Sequence, residues 1–217
     1  FVWDEKRDYK RGKVLDAEAL EKIERFGRYK DVDGDGIPYR TIPATHPTKG
    51  SYFTRGTSRD EYAAYTEDSE AYQLNMDRLM KKWNTAKDMV PAPQLYQEKS
   101  KNETGILFFG TSTYAAEEAL DILKENDIMV DAIRLKSFPF NKTVEDFIHA
   151  HEVVYVVEQN RDAQLKSLLM IEMGIDPAKL KSVLNYDGTP ITAEVILRQI
   201  SNKFASDSHI PKKVTTA

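Results

Sequence analysis

From Gly105 onward, short apolar runs alternate with amphipathic stretches, and this alternation restricts the fold more than any other feature of the chain. Residues 106–109 are apolar and end at Gly110. Good helix formers fill residues 115–124, behind the hydroxyls of Thr111, Ser112 and Thr113, which suit an N-cap. Residues 128–135 hold β-branched side chains and read as strand, and residues 143–150 read as a short helix with Val144, Phe147 and Ile148 on one face. Residues 153–157 are apolar throughout, as a strand buried on both faces of a parallel sheet requires. A helix over 163–173 stops at Gly174, a natural C′ residue. Asp176-Pro177 offers a cap with proline at N1, residues 180–184 read as strand, and a last helix spans 191–204. The pattern predicts an α/β fold, three layers around a mostly parallel sheet.

The region before it has a different texture. Eight of the 11 tyrosines lie at or before Tyr96, and five of the 10 glycines lie from Gly27 to Gly56. Val90-Pro91-Ala92-Pro93 and the polar run 97–104 separate the two textures, because proline blocks helix continuation. The expected division is residues 1–97, an irregular helical and loop-rich segment, and residues 98–217, the α/β domain. Asp16 is a plausible N-cap for a helix carrying Leu20, Ile23 and Phe26 and ending at Gly27. Residues 66–88 form the clearest helix. Its stripe of Tyr72, Met76, Leu79, Met80 and Trp83 suits core packing or docking on a neighbour better than a cofactor box. The tail after Ser206 has little to bury and is expected to fray.

Composition excludes several classes. With 0 cysteines, these residues supply no disulfide, thiolate zinc site or cysteine-ligated cluster. A net charge of −4, spread along the chain, gives no support to nucleic-acid binding. No apolar run approaches the roughly 20 residues of a membrane span, and no leader-like segment opens the chain, so the expectation is a cytoplasmic protein without a membrane partner. The start at Phe1, rather than methionine, fits a fragment or a trimmed polypeptide.

Four stretches bear polar chemistry. Asp31-Val32-Asp33-Gly34-Asp35-Gly36-Ile37 matches the first half of a calcium loop, with carboxylates at alternate positions and a glycine turn. Pro38 and Ile42 then break the match, since Ile42 stands where a closing glutamate belongs. Asp31, Asp33 and Asp35 are therefore candidate Ca²⁺ or Mg²⁺ ligands, or members of an Asx/Gly turn. Residues 41–65 form a long aromatic and polar loop with His46, Lys49, Arg55 and Thr57. Tyrosine and arginine favour protein contact surfaces there, with a direct ligand role for His46 or Arg55 as the alternative. Glu158-Gln159-Asn160-Arg161-Asp162 follows the buried run, where open α/β sheets place their crevice. Glu158, Asn160 and Arg161 are candidates to orient a ligand or partner. Equally, Asn160 or Asp162 caps the next helix and Arg161 pairs with a carboxylate. Gly110-Thr111-Ser112-Thr113 suits helix capping better than an anion cradle, because it lacks the lysine and spacing of a Walker loop. There is no G-x-S-x-G, H-E-x-x-H or G-x-G-x-x-G, and the chain does not assemble a nucleophile, base and orienter by itself.

Long strings of this sequence resemble one family. They are Arg11-Gly12-Lys13-Val14-Leu15, Phe26-Gly27-Arg28-Tyr29, Asp31 through Thr41, His46-Pro47, Lys49-Gly50, Tyr52-Phe53-Thr54-Arg55-Gly56-Thr57, Asp60-Glu61-Tyr62, Asn75-Met76-Asp77-Arg78-Leu79 and Val157-Glu158-Gln159-Asn160-Arg161-Asp162. They resemble the C-terminal part of the alpha subunit of 2-oxoacid:ferredoxin oxidoreductases, in the 2-oxoglutarate (KorA-type) branch. Ser58-Arg59 departs from the Gly-His-like pair of that pattern. The resemblance implies a transketolase C-terminal-like fold for the second region and the tail of a pyrimidine-binding region for the first. It further implies oxidative decarboxylation of a 2-oxoacid to an acyl-CoA with reduction of ferredoxin. The beta subunit would hold thiamine diphosphate, Mg²⁺ and the iron–sulfur cluster. This chain would hold no catalytic or cofactor-binding residue, act at subunit interfaces, and be inactive alone. Two other readings are a non-catalytic cation-binding interaction module and the C-terminal region of a non-redox, transketolase-like thiamine enzyme. Arg55-Gly56-Thr57 and residues 31–37 favour the ferredoxin-linked family.

Overall fold

Apolar runs as continuous as residues 153–157 need cover on both faces of a sheet, and the chain provides it. The computed structural model describes residues 5–6, 12–96 and 102–204. The linker residues 97–101 and the tail after Ser206 lie outside the described residues. The chain divides into two compact units, Phe1–Met89 and Val90–Ala217. In chain order the elements are α1 (Ala17–Glu21), α2 (Ser69–Ala86), β1 (Gln94–Tyr96), β2 (Thr104–Phe109), α3 (Thr113–Glu125), β3 (Asp131–Leu135), α4 (Lys142–Ala150), β4 (Val153–Glu158), α5 (Gln164–Met173), β5 (Leu180–Leu184) and α6 (Ala193–Phe204).

The second unit is the expected α/β layer structure. Its sheet runs β1-β3-β2-β4-β5, with β2 to β5 parallel and β1 antiparallel to β3. Alternate residues of each strand feed opposite faces. Ile106 and Phe108 join Tyr155, Val157 and Val183 against Ala116, Ala119 and Leu123 of α3 and Ile196 and Ile200 of α6. Leu107 joins Ile133, Val154, Val156 and Leu180 against Phe147 and Ile148 of α4 and Leu165 and Leu169 of α5. At the β5 edge, the Gln199 side chain donates to the Leu184 carbonyl at 2.8 Å and accepts the Leu184 N–H at 3.0 Å.

Two boundaries differ from the sequence reading. β3 starts at Asp131 rather than at residue 128, because Ile128 closes α3 instead. Asp127 takes the left-handed conformation, its N–H bonds the Lys124 carbonyl, and the Ile128 N–H bonds Leu123 at 2.9 Å. That is a Schellman closure with an apolar residue at C″. The hydroxyls of residues 111–113 do not cap α3 as expected. A short 3₁₀ turn, Gly110–Ser112, leads into the helix, and the Thr113 hydroxyl donates to the Gly110 carbonyl.

The first unit has little regular structure. Asp16 caps α1 through the Ala19 N–H at 2.8 Å, but the helix ends at Glu21, well short of Gly27. Lys49 supplies the reason: its ammonium bonds the carbonyls of Glu21 and Ile23, taking up acceptors at the helix C-terminus. The long helix is present as α2, capped by Asp68. Core packing of its apolar stripe is not found. No residue of α2 is buried, and Tyr72, Met76, Leu79 and Met80 are 48%, 37%, 41% and 60% exposed. Arginines and lysines instead sit over tyrosine rings: Arg25 lies 3.9 Å from the Tyr62 centroid, while Arg59 and Arg78 flank Tyr29.

Candidate functional site at the carboxyl edge of the sheet

The connections fix where a crevice belongs. From β2 the chain passes through α3 to β3 on one side, then returns past β2 to β4 and β5 on the other. The direction reverses between β2 and β4, and the carboxyl ends of those strands are the customary binding crevice of an open α/β sheet. There stand the Gly110–Ser112 turn after β2 and Glu158 to Asp162 after β4.

Glu158, the last residue of β4, is buried and polar. Its carboxylate accepts the N–H groups of Leu165 at 2.7 Å and Lys166 at 3.0 Å, and the Asn160 amide at 2.8 Å. The first turn of α5 leaves its N–H groups without helical partners, and Glu158 satisfies them while setting a negative charge at the positive end of the helix dipole. Asn160 adds a weaker link, accepting the Gln164 N–H at 3.2 Å. The expected helix cap is therefore chiefly Glu158, with Asn160 assisting. Asp162 pairs with Arg161 at 2.7 Å, both well exposed. Gln159 ties three loops together: its amide donates to Thr111 at 2.8 Å, and its oxygen accepts the Ile191 N–H at 3.2 Å. It spans the reversal point itself, a role that a lone glutamine in a polar run does not announce.

Beside this knot lies a cavity of about 440 Å³, lined mainly by Phe109, Leu135, Phe138, Phe140, Leu165 and Leu168, with Gly110, Lys136 and Ser137 at the strand ends. Gly110 has φ +58 and open space where a side chain would stand. Phe138 and Phe140 meet edge to face at 5.0 Å. The sequence reading missed this site. Its available signal was the aromatic–proline run Phe138-Pro139-Phe140 directly after a strand.

Of the candidates in the first loop, His46 and Lys49 come together on Glu21, while Arg55 and Thr57 do not join them. The His46 side chain is buried, and its Nδ1 accepts the N–H groups of Thr48 and Lys49. The ring proton therefore belongs on Nε2, which donates to Glu21 at 2.6 Å. Hydrogen bonds from His46 and Lys49 hold the Glu21 carboxyl below its usual range. Arg55 lies over the Tyr65 ring at 5.7 Å, and Thr57 is exposed. His46 and Lys49 thus brace α1 against the loop, while Arg55 and Thr57 are on the surface.

The three aspartates do not converge on one point. Lys13 lies 2.6 Å from Asp33 and 2.7 Å from Asp35, and Lys81 lies 3.2 Å from Asp31. Asp31 also accepts the Gly36 N–H at 3.0 Å, and Asp35 accepts Ile37 at 2.9 Å. Burial draws the Lys13 ammonium down, but the hydrogen bonds it donates to Asp33 and Asp35 outweigh this and hold the group well above the usual lysine range. Burial likewise pushes Asp31 up, yet the Gly36 N–H and Lys81 leave it below the usual carboxylate range. The loop docks on α2 through Arg78, which donates to the Gly36 carbonyl, and Thr85, which donates to the Asp35 carbonyl. Among the described residues no group of three His, Asp or Glu is placed to hold a metal ion.

These donors do not fit a diphosphate–Mg²⁺ site. The first turn of α5 is already filled by a carboxylate, and the acidic loop is already neutralised by ammonium groups. The other buried histidine, His151, sits at the opposite edge of the sheet, with its ring nitrogens on Asp131 at 3.1 Å and the Phe147 carbonyl at 2.6 Å. His46 and His151 are thus both committed to holding the fold. Among the described residues no helix is long and apolar enough to cross a membrane.

No family model and no curated protein matches this sequence. Among solved structures, the chain is similar to a 2-oxoglutarate:ferredoxin oxidoreductase from Magnetococcus marinus, solved with 2-oxoglutarate, coenzyme A and succinyl-CoA bound. The TM-score is 0.75 at 21% identity, over 88% of this chain and 32% of that one. This chain therefore spans about a third of the length of that relative. A second match is the alpha chain of a probable 2-oxoacid ferredoxin oxidoreductase from Thermoplasma acidophilum. It has 25% identity over 52% of this chain and 97% of that one, with a TM-score of 0.36, too low to bear on the fold. The first likeness and the strand order agree with a transketolase C-terminal-like α/β fold.

Proposed function

We propose that this polypeptide is the C-terminal part of the alpha subunit of a thiamine-diphosphate-dependent 2-oxoacid:ferredoxin oxidoreductase, in the 2-oxoglutarate (KorA-type) branch. The observation that carries the reading is a coincidence of two kinds of likeness. The strings from Asp31 to Thr41, Tyr52 to Thr57 and Val157 to Asp162 resemble that family, and the fold resembles a 2-oxoglutarate:ferredoxin oxidoreductase across 88% of the chain. The whole enzyme would oxidatively decarboxylate a 2-oxoacid, pass the acyl group to CoA and reduce ferredoxin, in the cytoplasm. A beta subunit would hold thiamine diphosphate, Mg²⁺ and the iron–sulfur cluster.

The role of this chain is to shape and pack. The tail of the pyrimidine-binding region ends at residue 89 and the transketolase C-terminal-like domain spans residues 90–217, ahead of the expected 97/98 division because β1 belongs to the second unit's sheet. The uncovered stripe of α2 and the exposed Tyr52, Phe53, Arg55 and Thr57 support a subunit contact surface in the first region. Tyrosine and arginine are the side chains that most often anchor such contacts. Asn160 and Arg161 stand at the crevice and suit a partner contact there. The acidic loop serves as a lysine-clasped docking turn against α2.

The test is purification of the intact gene product from its own cells. The expected result is co-purification with a cysteine-bearing subunit, an iron–sulfur absorbance band in the complex, and CoA-dependent reduction of ferredoxin on addition of 2-oxoglutarate. The 217-residue chain alone should show neither the band nor turnover. Turnover by this chain alone, or a product that purifies without such a partner, overturns the reading.

A further inference from the structure

The cavity at the carboxyl edge combines an apolar interior with a cation that has nothing to neutralise it. Its floor is aromatic and aliphatic: Phe138, Phe140, Leu165 and Leu168. Phe140 and Leu165 are buried beneath it, while Phe138 is 41% exposed and leaves the mouth open. Lys136 lines the same space and is exposed, and among the described residues it makes no ion pair or side-chain hydrogen bond. Six other lysines, Lys13, Lys22, Lys30, Lys49, Lys81 and Lys142, are held by carboxylates and so differ from Lys136. The N–H groups in the first turn of α5 are already taken by Glu158, and the other polar side chains lining the space, Ser137 and Gln164, are uncharged. An anionic group entering this space is thus directed to Lys136 and away from the helix end.

We propose that this cavity binds a small amphipathic carboxylate, an aliphatic or aromatic body carrying one carboxyl group. The body lies on Phe138, Phe140 and Leu168, and the carboxylate meets the Lys136 ammonium. The cavity of about 440 Å³ falls within the roughly 300–1,000 Å³ of small-molecule sites, which are mostly apolar with a few polar groups fixing orientation. The open space over Gly110 widens the entrance, since no side chain stands there. This inference rests on the second unit alone and holds whether or not the oxidoreductase reading does.

Octanoate is a suitable probe and octanol its uncharged control, each titrated into the 217-residue chain by calorimetry and by amide chemical shifts. Octanoate should bind about fivefold more tightly than octanol, the upper end for a solvent-accessible ion pair, with shifts centred on Gly110, Ser137 and Leu165. Lys136→Gln, an exposed change that leaves the core intact, should reduce octanoate to the level of octanol. Leu168→Trp should fill the cavity and abolish both, and its melting curve shows whether it folds. If it does not fold, Lys136→Gln decides. Equal binding of the two probes, shifts centred away from these residues, or no binding at millimolar octanoate overturns the proposal.

Discussion

Glu158 reaches forward along the chain to accept the Leu165 N–H at 2.7 Å, joining the end of a buried strand to the first turn of the next helix. The same carboxylate takes the Lys166 N–H at 3.0 Å. Hydrogen bonds to a charged group contribute about 1.5–3 kcal/mol each, and a buried donor left unpaired adds its own desolvation cost. Glu158→Ala should therefore destabilise the second unit by roughly 3 kcal/mol, and Glu158→Gln by less, since one acceptor remains. Urea unfolding followed by far-ultraviolet circular dichroism measures both, and a loss under about 0.5 kcal/mol for the alanine variant would contradict this role.

Gly36 should tolerate no side chain. Its φ is +78, and a Cβ there would lie 2.3 Å from the Lys82 nitrogen and 2.8 Å from the Arg78 carbonyl, both backbone atoms of α2. Left-handed strain of about 1–2 kcal/mol and a clash of about 1–3 kcal/mol add for Gly36→Ala. Limited proteolysis should then cut residues 31–50 faster, while the sheet of the second unit keeps its amide exchange protection.

Divalent metal should do little to the native chain, because Lys13 and Lys81 already neutralise the acidic loop. Chelator should leave the melting temperature unchanged. Lys13→Ala removes the ammonium shared by Asp33 and Asp35, and that variant should gain a Ca²⁺-dependent rise in melting temperature that the native chain lacks. A rise of several degrees in the native chain would show that the lysines yield to the metal.

Depressed carboxyls of the first unit should mark the acid limb of the stability profile, and Tyr96 of the second unit the alkaline limb. The Lys13 hydrogen bond and the Ile37 N–H hold Asp35 below the usual carboxylate range, Glu21 is held low by His46 and Lys49, and Asp31 is low as well. A carboxyl depressed on folding contributes stability above its ordinary value and loses it as pH falls, so the first unit should loosen below about pH 4. Added salt should weaken the native ion pairs at neutral pH, since these groups are largely solvent-accessible. In the second unit, burial and the hydrogen bond to Glu117 push Tyr96 up from 10.0 to about 12. A phenol raised on folding contributes below its ordinary value and loses that contribution as pH climbs from 10 to 12. Tyr96→Phe should flatten the alkaline limb of the stability profile and leave the acid limb unchanged.

The sheet was legible because its signals are local and periodic. Residues 106–109 and 153–157 fall within β2 and β4, since a run buried on both faces has no polar residue to obscure it, and residues 180–184 match β5 although Lys181 and Ser182 interrupt the run. Gly174 ends α5 in the left-handed conformation, as its position suggested. Ile128 was misread because an apolar residue at the end of a helix looks, in sequence, like the start of a strand. Sequence could not decide between core packing and docking for the stripe on α2, because periodicity reports amphipathicity without saying what covers the apolar face. The acidic loop matched half of a cation motif, and the lysines that clasp it come from far along the chain, Lys13 and Lys81. Spacing holds no trace of such pairings. For the same reason Gln159 and the Lys136 cavity emerged only once the strand ends were brought side by side.

Gln199 has a consequence for how the sheet meets other chains. Its amide offers Leu184 one donor and one acceptor, the pair a neighbouring peptide unit would present. An outermost strand is a template on which foreign backbone can crystallise, and proteins blunt such rims by several devices. Here the blunting comes from a side chain of the last helix, which imitates one link of a sixth strand and so ends the ladder's growth at that rung.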